Sequence, residues 1–382
     1  MFKLILHTIL ISIFYPTVYC QLGTCQRPSV TTASGIAAPT GTIFPGDLIF
    51  DENFDGPTFT KWWTHESSLS GGANNNQFQW YQNNRSNSFV RDGNLHIRPT
   101  LLANDTGEAF LYNGTIDLNG AFPIGYCSIP VYDGCLRTGN NSIILNPIKS
   151  ARIHSAYSFS FKYGRMVARV KVPLGDWLWP ALWMEPRDNE YSSWPSSGEI
   201  DILETRGNKN YIKNGVNIGV QQVGSTLHWG PYPALNRYPL THYTLNNADG
   251  WNADFHIYEV IWNTTSITFL IDHVVLGSVS PPDGGFWQLG NFSTNTANPW
   301  AAGTKMAPFD QEFYFIINVA VGGTSWFPDN YVNDGYQKPW KNYDGRASMT
   351  KFWNANNLWL PTWNMTTDNS HFQIDYIRVY AI

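Results

Sequence analysis

Between Trp194 and Glu204 the chain reads Trp-Pro-Ser-Ser-Gly-Glu-Ile-Asp-Ile-Leu-Glu, placing three carboxylates within six residues of an otherwise apolar, β-branched run. Only 14% of the residues are charged, so this concentration of acids is a strong constraint on the fold. A β-branched run of this length reads as a strand. Side chains on a strand alternate, so Glu199 and Asp201 share one face while Glu204 falls out of phase. One β-bulge near Ile202 or Leu203 restores the phase and turns Glu204 onto the same face; bulges are common beside active sites because they re-aim a side chain. The spacing therefore predicts three acids lining one cleft. An edge strand with acids turned to solvent, or a calcium site of clustered oxygens, would account for the spacing alone equally well.

Carboxylates this close in a partly desolvated cleft cannot all ionise freely, so at least one holds a proton near neutral pH. An acid and a base then stand side by side. Hydrolysis of a glycosidic bond with retention needs such a pair, about 5–5.5 Å apart. Four effective strand steps separate Glu199 from Glu204, roughly 13 Å of backbone, and two Glu side chains leaning together close most of that. Asp201 between them could hold a proton or hydrogen-bond the nucleophile.

Upstream, Gly164–Pro173 alternates like a strand and is followed by Trp177, Trp179 and Trp183. On one strand these three indoles share a face. Flat indole surfaces suit the apolar faces of sugars, while others fill a β-sandwich core, so at least one is expected in the cleft and at least one in the core. Downstream, Gly224–Gly230 puts His228 and Trp229 on a neighbouring strand, where the histidine can support the acids.

These residues, with Asp51–Phe54, Asn75–Tyr81, Asp92–Pro99, Ile148–Ile153, Tyr163–Arg165 and Phe372–Tyr380 in the same order, resemble family-sixteen glycoside hydrolases over about residues 44–382. The resemblance is to the invertebrate branch of endo-β-1,3-glucanases (laminarinases) and the related β-glucan-recognition proteins. It implies a retaining mechanism with Glu199 as nucleophile, Glu204 as general acid and base, and Asp201 as their electrostatic partner. It also implies that Asn76, Arg152, Trp179, Trp183 and His228 line the sugar subsites. At Gln77 and His154 the chain departs from what relatives often carry, Glu and Arg or Thr, so subsites there are expected to differ. Recognition members of this family typically lack one or both catalytic glutamates and often carry an extra N-terminal glucan-binding module; this chain keeps all three acids, which favours a hydrolase over a glucan-recognition protein without significant hydrolysis. The wider family also cleaves mixed-linkage glucan, agar, carrageenan and xyloglucan. A formal net charge of −5 argues against a sulfated polyanion, which would reward a basic groove, and leaves mixed-linkage β-1,3-1,4-glucan as an alternative substrate. No cofactor is required by this chemistry. Some relatives bind a structural calcium ion through an acid near the C-terminal strand, where this chain has Asp375; pairing of Asp375 with Arg378 is the alternative.

The N-terminus, Met1-Phe2-Lys3 followed by an apolar stretch from Leu4 to about Tyr19, reads as a signal peptide over residues 1–20. A secreted, extracellular, monomeric protein is expected, with no nucleic-acid or membrane partner. Residues 21–43 read as a short N-terminal extension, too brief for a core of its own. In a secreted chain cysteines read as disulfides, and Cys127 and Cys135 bracket a turn-rich segment whose ends can meet. Cys25 is unpaired if Cys20 leaves with the signal, or pairs with Cys20 if cleavage precedes it. Seven sequons, at Asn84, Asn104, Asn113, Asn140, Asn263, Asn291 and Asn364, fit an N-glycoprotein. Short β-rich runs recur and helix-period segments are scarce, so the expected fold is an all-β sandwich: a jelly roll of two packed antiparallel sheets with a concave substrate groove. The long insertions Ala103–Ile143 and Pro281–Pro308 are expected to decorate the rim of that groove.

Overall fold

A computed structural model describes residues 19–21, 24–72, 75–120 and 126–382. The proposed signal segment and the Cys20–Cys25 question lie outside the described residues and side chains. Two large antiparallel sheets make up the body. One, the groove sheet, runs in the order His242–Asn246, Gln222–His228, Glu199–Thr205, Leu178–Pro186, Phe313–Val321, Arg152–His154, Thr64–His65. Ser160–Lys162 also pairs with Phe313–Val321 and carries Thr32–Ser34 at the edge. The other, the outer sheet, runs Val274–Val279, Ile267–Ile271, His256–Trp262, Gly164–Lys171, Phe372–Tyr380, Asn94–Ile97, Ser88–Arg91, with Leu48–Glu52 also paired to Phe372–Tyr380.

Alternation explains which residues seal the space between the sheets. In the outer sheet Met166, Ala168 and Val170 are fully buried, whereas Arg165, Arg169 and Lys171 between them are not. In the groove sheet Phe313, Phe315, Ile317, Val319 and Val321 enter the core, which leaves Tyr314, Ile316, Asn318 and Ala320 on the groove face. Large rings bridge the two layers: Phe50 of the outer sheet stacks on Phe159 at 4.4 Å and meets Phe315 at 6.0 Å, and Trp262 packs edge-on against Phe161 at 5.6 Å. Aromatic bulk of this kind fills the roughly 10 Å between packed sheets.

The extension before residue 44 is not a free tail. Thr32–Ser34 adds a strand to the groove sheet, and Ser29 N–H donates to the carbonyl of Ile43 at 2.8 Å. Cys127 and Cys135 form the expected disulfide, with Cα atoms 5.4 Å apart. It closes a loop in the 103–143 insertion, which docks on the helix Ala347–Asn354 through Arg346–Asp133, Tyr112–Asn354 and Trp353–Glu108 contacts. The 281–308 insertion is more than rim decoration. Phe286, Phe292 and Trp300 surround the buried Trp229, and Trp300 Nε1 donates to the Ser196 carbonyl at 2.7 Å, so this loop braces the turn leading into the three acids.

Candidate active site

On the strand Glu199–Thr205 the phase shift is visible in the pairing. Glu199 lies opposite His228 and Asp201 opposite Thr226, but Glu204 lies opposite Gly224, so Ile202 and Leu203 together face Ser225. On the other side Asp201 pairs with Trp183 and Leu203 with Leu182, leaving Ile202 as the extra residue. Ser225 Oγ donates to the Ile202 carbonyl at 2.7 Å, satisfying the backbone group that the bulge frees. Counted on the neighbour, His228 and Gly224 are four steps apart, an even number, so Glu199, Asp201 and Glu204 share the groove face as expected.

Indole donors hold the two outer acids. Trp194 Nε1 donates to Glu199 Oε2 at 2.9 Å, and Trp179 Nε1 donates to Glu204 Oε1 at 2.9 Å. His228 Nε2 stands 3.3 Å from Asp201 Oδ2 and 3.7 Å from Glu199 Oε1. Beyond that histidine approach, Asp201 Oδ2 has no well-aligned donor among the described residues. A buried oxygen in that position is relieved by a proton.

All three acids are pushed above the ordinary carboxylate range, chiefly by burial. For Glu199 the next cause is the Asp201 charge, with His228 and the Trp194 hydrogen bond opposing; for Asp201 it is the Glu204 charge, again opposed by His228. Glu204 is moderated by His228 and by Trp179. Glu199 and Asp201 titrate as a unit that keeps one proton toward neutral pH. Burial disfavours the charged form of His228, but the surrounding carboxylates outweigh it and push its pKa up to about 9. Asn236 works against that rise at the other ring nitrogen. Its Oδ1 receives the backbone N–H groups of Trp229 at 3.3 Å and Tyr238 at 3.1 Å, so its Nδ2 faces His228 Nδ1 at 2.8 Å as a donor. In the neutral ring Nδ1 is thereby the acceptor, and the N–H of His228 points from Nε2 toward Asp201.

The tryptophans divide as expected, with one change. Leu178–Pro186 begins after Trp177, whose φ of +67° turns its indole into the core against Tyr211, Phe327 and Trp340. Trp177 therefore does not share a face with Trp179 and Trp183. Trp179 stacks flat on Trp326 at 5.0 Å, and Arg206 lies over Trp326 at 4.1 Å. Trp183 donates to Asn318 Oδ1 at 2.8 Å and remains partly open.

Arg152 is linked to the acids through Glu185, whose charge acts on Glu199, and through Trp183, which pairs with Asp201. Arg152 Nε pairs with Glu66 at 3.1 Å, its guanidinium packs over Trp183 at 4.8 Å, and Glu185 approaches at 3.9 Å. Asn76, at φ +47° in the loop before Gln79–Tyr81, donates to Thr324 Oγ1 at 3.1 Å. Gln77 is buried with its Oε1 receiving Gln79 Nε2, and His154 packs on Tyr157 and Tyr314. Near the acids a depression of about 690 Å3 is lined by Glu185, Trp194, Gly198, Tyr157, Ser160 and Tyr314. Asp375, the expected calcium ligand, is bound by Arg169 at 2.5 Å, while Arg378 pairs instead with Asp51. Among the described residues Asp375 joins no cluster of three or more His, Cys, Asp or Glu ligands, so the six or more oxygens that calcium needs are not assembled there by acidic side chains.

The model of the family described as "Glycosyl hydrolases family 16" matches residues 133–308, which contain the whole acid strand. A Penaeus monodon protein named beta-1,3-glucan-binding protein is 45% identical over 348 residues, covering 89% of this chain and 92% of its own. The chain belongs to glycosyl hydrolase family 16. A Galleria mellonella protein, beta-1,3-glucan-binding protein 1, is 34% identical over 93% of this chain and 68% of its own length. Among solved structures, the endo-1,3-beta-glucanase (laminarinase) catalytic domain of Thermotoga petrophila aligns with a TM-score of 0.54 at 21% identity, over 88% of this chain and 97% of that one. The endo-beta-1,3-glucanase of Pyrococcus furiosus aligns at 0.54 and 20%, over 96% and 98%. At those identities the likeness establishes the family-16 jelly-roll fold.

Sequence reasoning did not single out Trp194, Trp326, Asn236 or Glu185 as site residues. Trp194 was within reach, being five residues before Glu199 in a turn-forming Trp-Pro-Ser-Ser-Gly segment. Trp326 and Asn236 sit in loops whose approach to the site depends on contacts across the sheet, for which the sequence carries no local signal.

Proposed function

We propose that this family-16 protein is a secreted hydrolase that cuts β-1,3-glucan internally, with retention at the anomeric carbon. The observation that carries the reading is the bulge at Ile202, which brings Glu199, Asp201 and Glu204 onto one face, each outer acid gripped by an indole N–H. In the first step Glu199 attacks the anomeric carbon while Glu204 gives its proton to the departing glycosidic oxygen, leaving a glycosyl ester on Glu199. In the second, Glu204 takes a proton from water, the water oxygen attacks the same carbon, and Glu199 is released as carboxylate. With the remaining proton on Asp201 beside His228, the neighbouring charge that raises Glu199 is removed, which frees Glu199 to act as a carboxylate. Trp179 and Trp183 offer the faces on which glucose units stack.

A second reading is favoured by the names of the sequence relatives, which record glucan binding. In it the chain binds β-1,3-glucan and releases nothing. A reducing-end assay across laminarin, lichenan, cellulose, agar and carrageenan separates the two. Release from laminarin supports the hydrolase; binding to laminarin without release supports recognition; release from lichenan alone replaces the substrate. Secretion and glycosylation belong to the same proposal. Asn104, Asn113, Asn140, Asn291 and Asn364 are exposed and Asn84 and Asn263 half-buried, and a mass loss on enzymatic deglycosylation of protein from culture medium is the expected result.

A further inference from the structure

On the outer sheet, one strand in from its Ser88–Arg91 edge, two buried histidines face each other. His96 lies on the strand Asn94–Ile97, and His371 immediately precedes Phe372–Tyr380; they are 2% and 3% exposed. Their Nδ1 atoms are 3.2 Å apart with the rings nearly perpendicular, at 86°. Asp368 Oδ1 is 3.3 Å from the same His371 Nδ1, and one ligand atom from each of the three residues falls within 4.8 Å of the others. Three potential lone-pair atoms thus converge on a space that a single N–H must serve. Hydrogen bonding alone leaves that arrangement short of protons.

We propose that His96, His371 and Asp368 bind a zinc ion that ties the strand Asn94–Ile97 to the turn before the last strand. Ligand atoms at about 2.0–2.1 Å from a tetrahedral zinc are about 3.3 Å apart, which matches both short separations. Two imidazoles and one carboxylate form a donor set for zinc or a similar borderline divalent ion, and not for calcium. The outer contacts are of the kind that orient metal ligands. A ring N–H of His96 is hydrogen-bonded to the Arg91 backbone carbonyl, the Arg91 guanidinium holds Asp368 Oδ2 and so leaves Oδ1 to face inward, and Phe89 lies parallel to the His96 ring at 5.1 Å. The Asp368 side chain is 41% exposed, which provides an entry path and room for a water as fourth ligand.

The test uses the full-length protein, freed of metal with a chelator and titrated with Zn2+ and, separately, with Co2+. One equivalent of Zn2+ should bind and raise Tm, and Co2+ should give the intense visible absorption of a tetrahedral site. His371→Gln should weaken binding by more than about tenfold and abolish the cobalt spectrum. His228→Gln should leave both unchanged, because Glu199, Asp201 and His228 are a second cluster able to hold a metal. If His371→Gln does not fold, the exposed Asp368→Asn change should still weaken Zn2+ binding and alter the cobalt band. Absence of Zn2+ binding, binding indifferent to His371→Gln and Asp368→Asn, or binding lost in His228→Gln would each overturn the assignment.

Discussion

Two buried charge clusters sit on the groove sheet, and they differ in the cation that balances them. Around Arg152, Glu66 and Glu185 surround a guanidinium that stays charged at every accessible pH. Around His228, Glu199, Asp201 and Glu204 surround an imidazole that can lose its proton. The first cluster has a permanent counter-charge and serves to fix Trp183. Both clusters hold more carboxylates than cations, and burial raises Glu66 too; the second differs in setting three carboxylates around a cation that can itself give up its proton, so it stores protons. Proton storage is what acid and base chemistry requires, and pairing is what a scaffold requires.

Substitution is the strongest way to break this distinction. Glu199→Gln and Glu204→Gln should each lower laminarin hydrolysis by about 10²–10⁴-fold or more while glucan binding persists; with an activated glucoside and azide, the Glu204 variant should form the β-glycosyl azide. Arg152→Met should instead act on stability, at a cost of about 3–5 kcal/mol for stranding a buried partner, read by denaturant unfolding. A catalytic loss at Arg152 with unchanged stability would blur the two clusters into one.

Stability against pH carries the same sign in both clusters, since burial raises Glu66 as it raises Glu199, and the effect is read at Glu199. The folded-state pKa of Glu199 lies above its unfolded value, so the folded protein binds the extra proton, and stability falls as pH rises from about 4.3 through the folded value. Glu199→Gln removes that loss. The variant should therefore be more stable than the parent at pH 7, each pKa unit being worth about 1.4 kcal/mol, and the gain should vanish below about pH 4. A destabilised Glu199→Gln at pH 7 would show that the acid is held by more favourable contacts than burial opposes.

Much of this comparison was legible in the chain itself. The phase mismatch of Glu204 located the bulge to within a residue, and the alternation of Gly164–Pro173 marked a strand, which the structure places at Gly164–Lys171. The turn between Cys127 and Cys135 gave the disulfide. Trp177 misled because its positive φ falls just before the strand, where the period-two rule does not apply. That Glu66, 86 positions earlier in the chain, pairs with Arg152 was not legible, because nothing local reveals the contact. The aromatic bracing of Trp229 by Phe286, Phe292 and Trp300 was hidden for the same reason: it is a long-range contact inside a segment that reads as polar loop.

The smallest expected effects sharpen the histidine side of the comparison. Asn236→Ala removes the donor to His228 Nδ1, so the imidazole should hold its proton more tightly and the pH profile of hydrolysis should shift by a fraction of a unit, with little change in the rate at the optimum. Asn236→Asp should shift it further in the same direction. An unmoved profile would mean that Asn236 serves only the Trp229–Tyr238 turn.

The central claim is that the proton-storing cluster performs retaining hydrolysis. Following the first minutes of laminarin-oligosaccharide cleavage by proton NMR tests it most directly. New reducing ends should appear first as the β-anomer and then equilibrate; the α-anomer appearing first, or bound oligosaccharide with no new reducing ends, would contradict it.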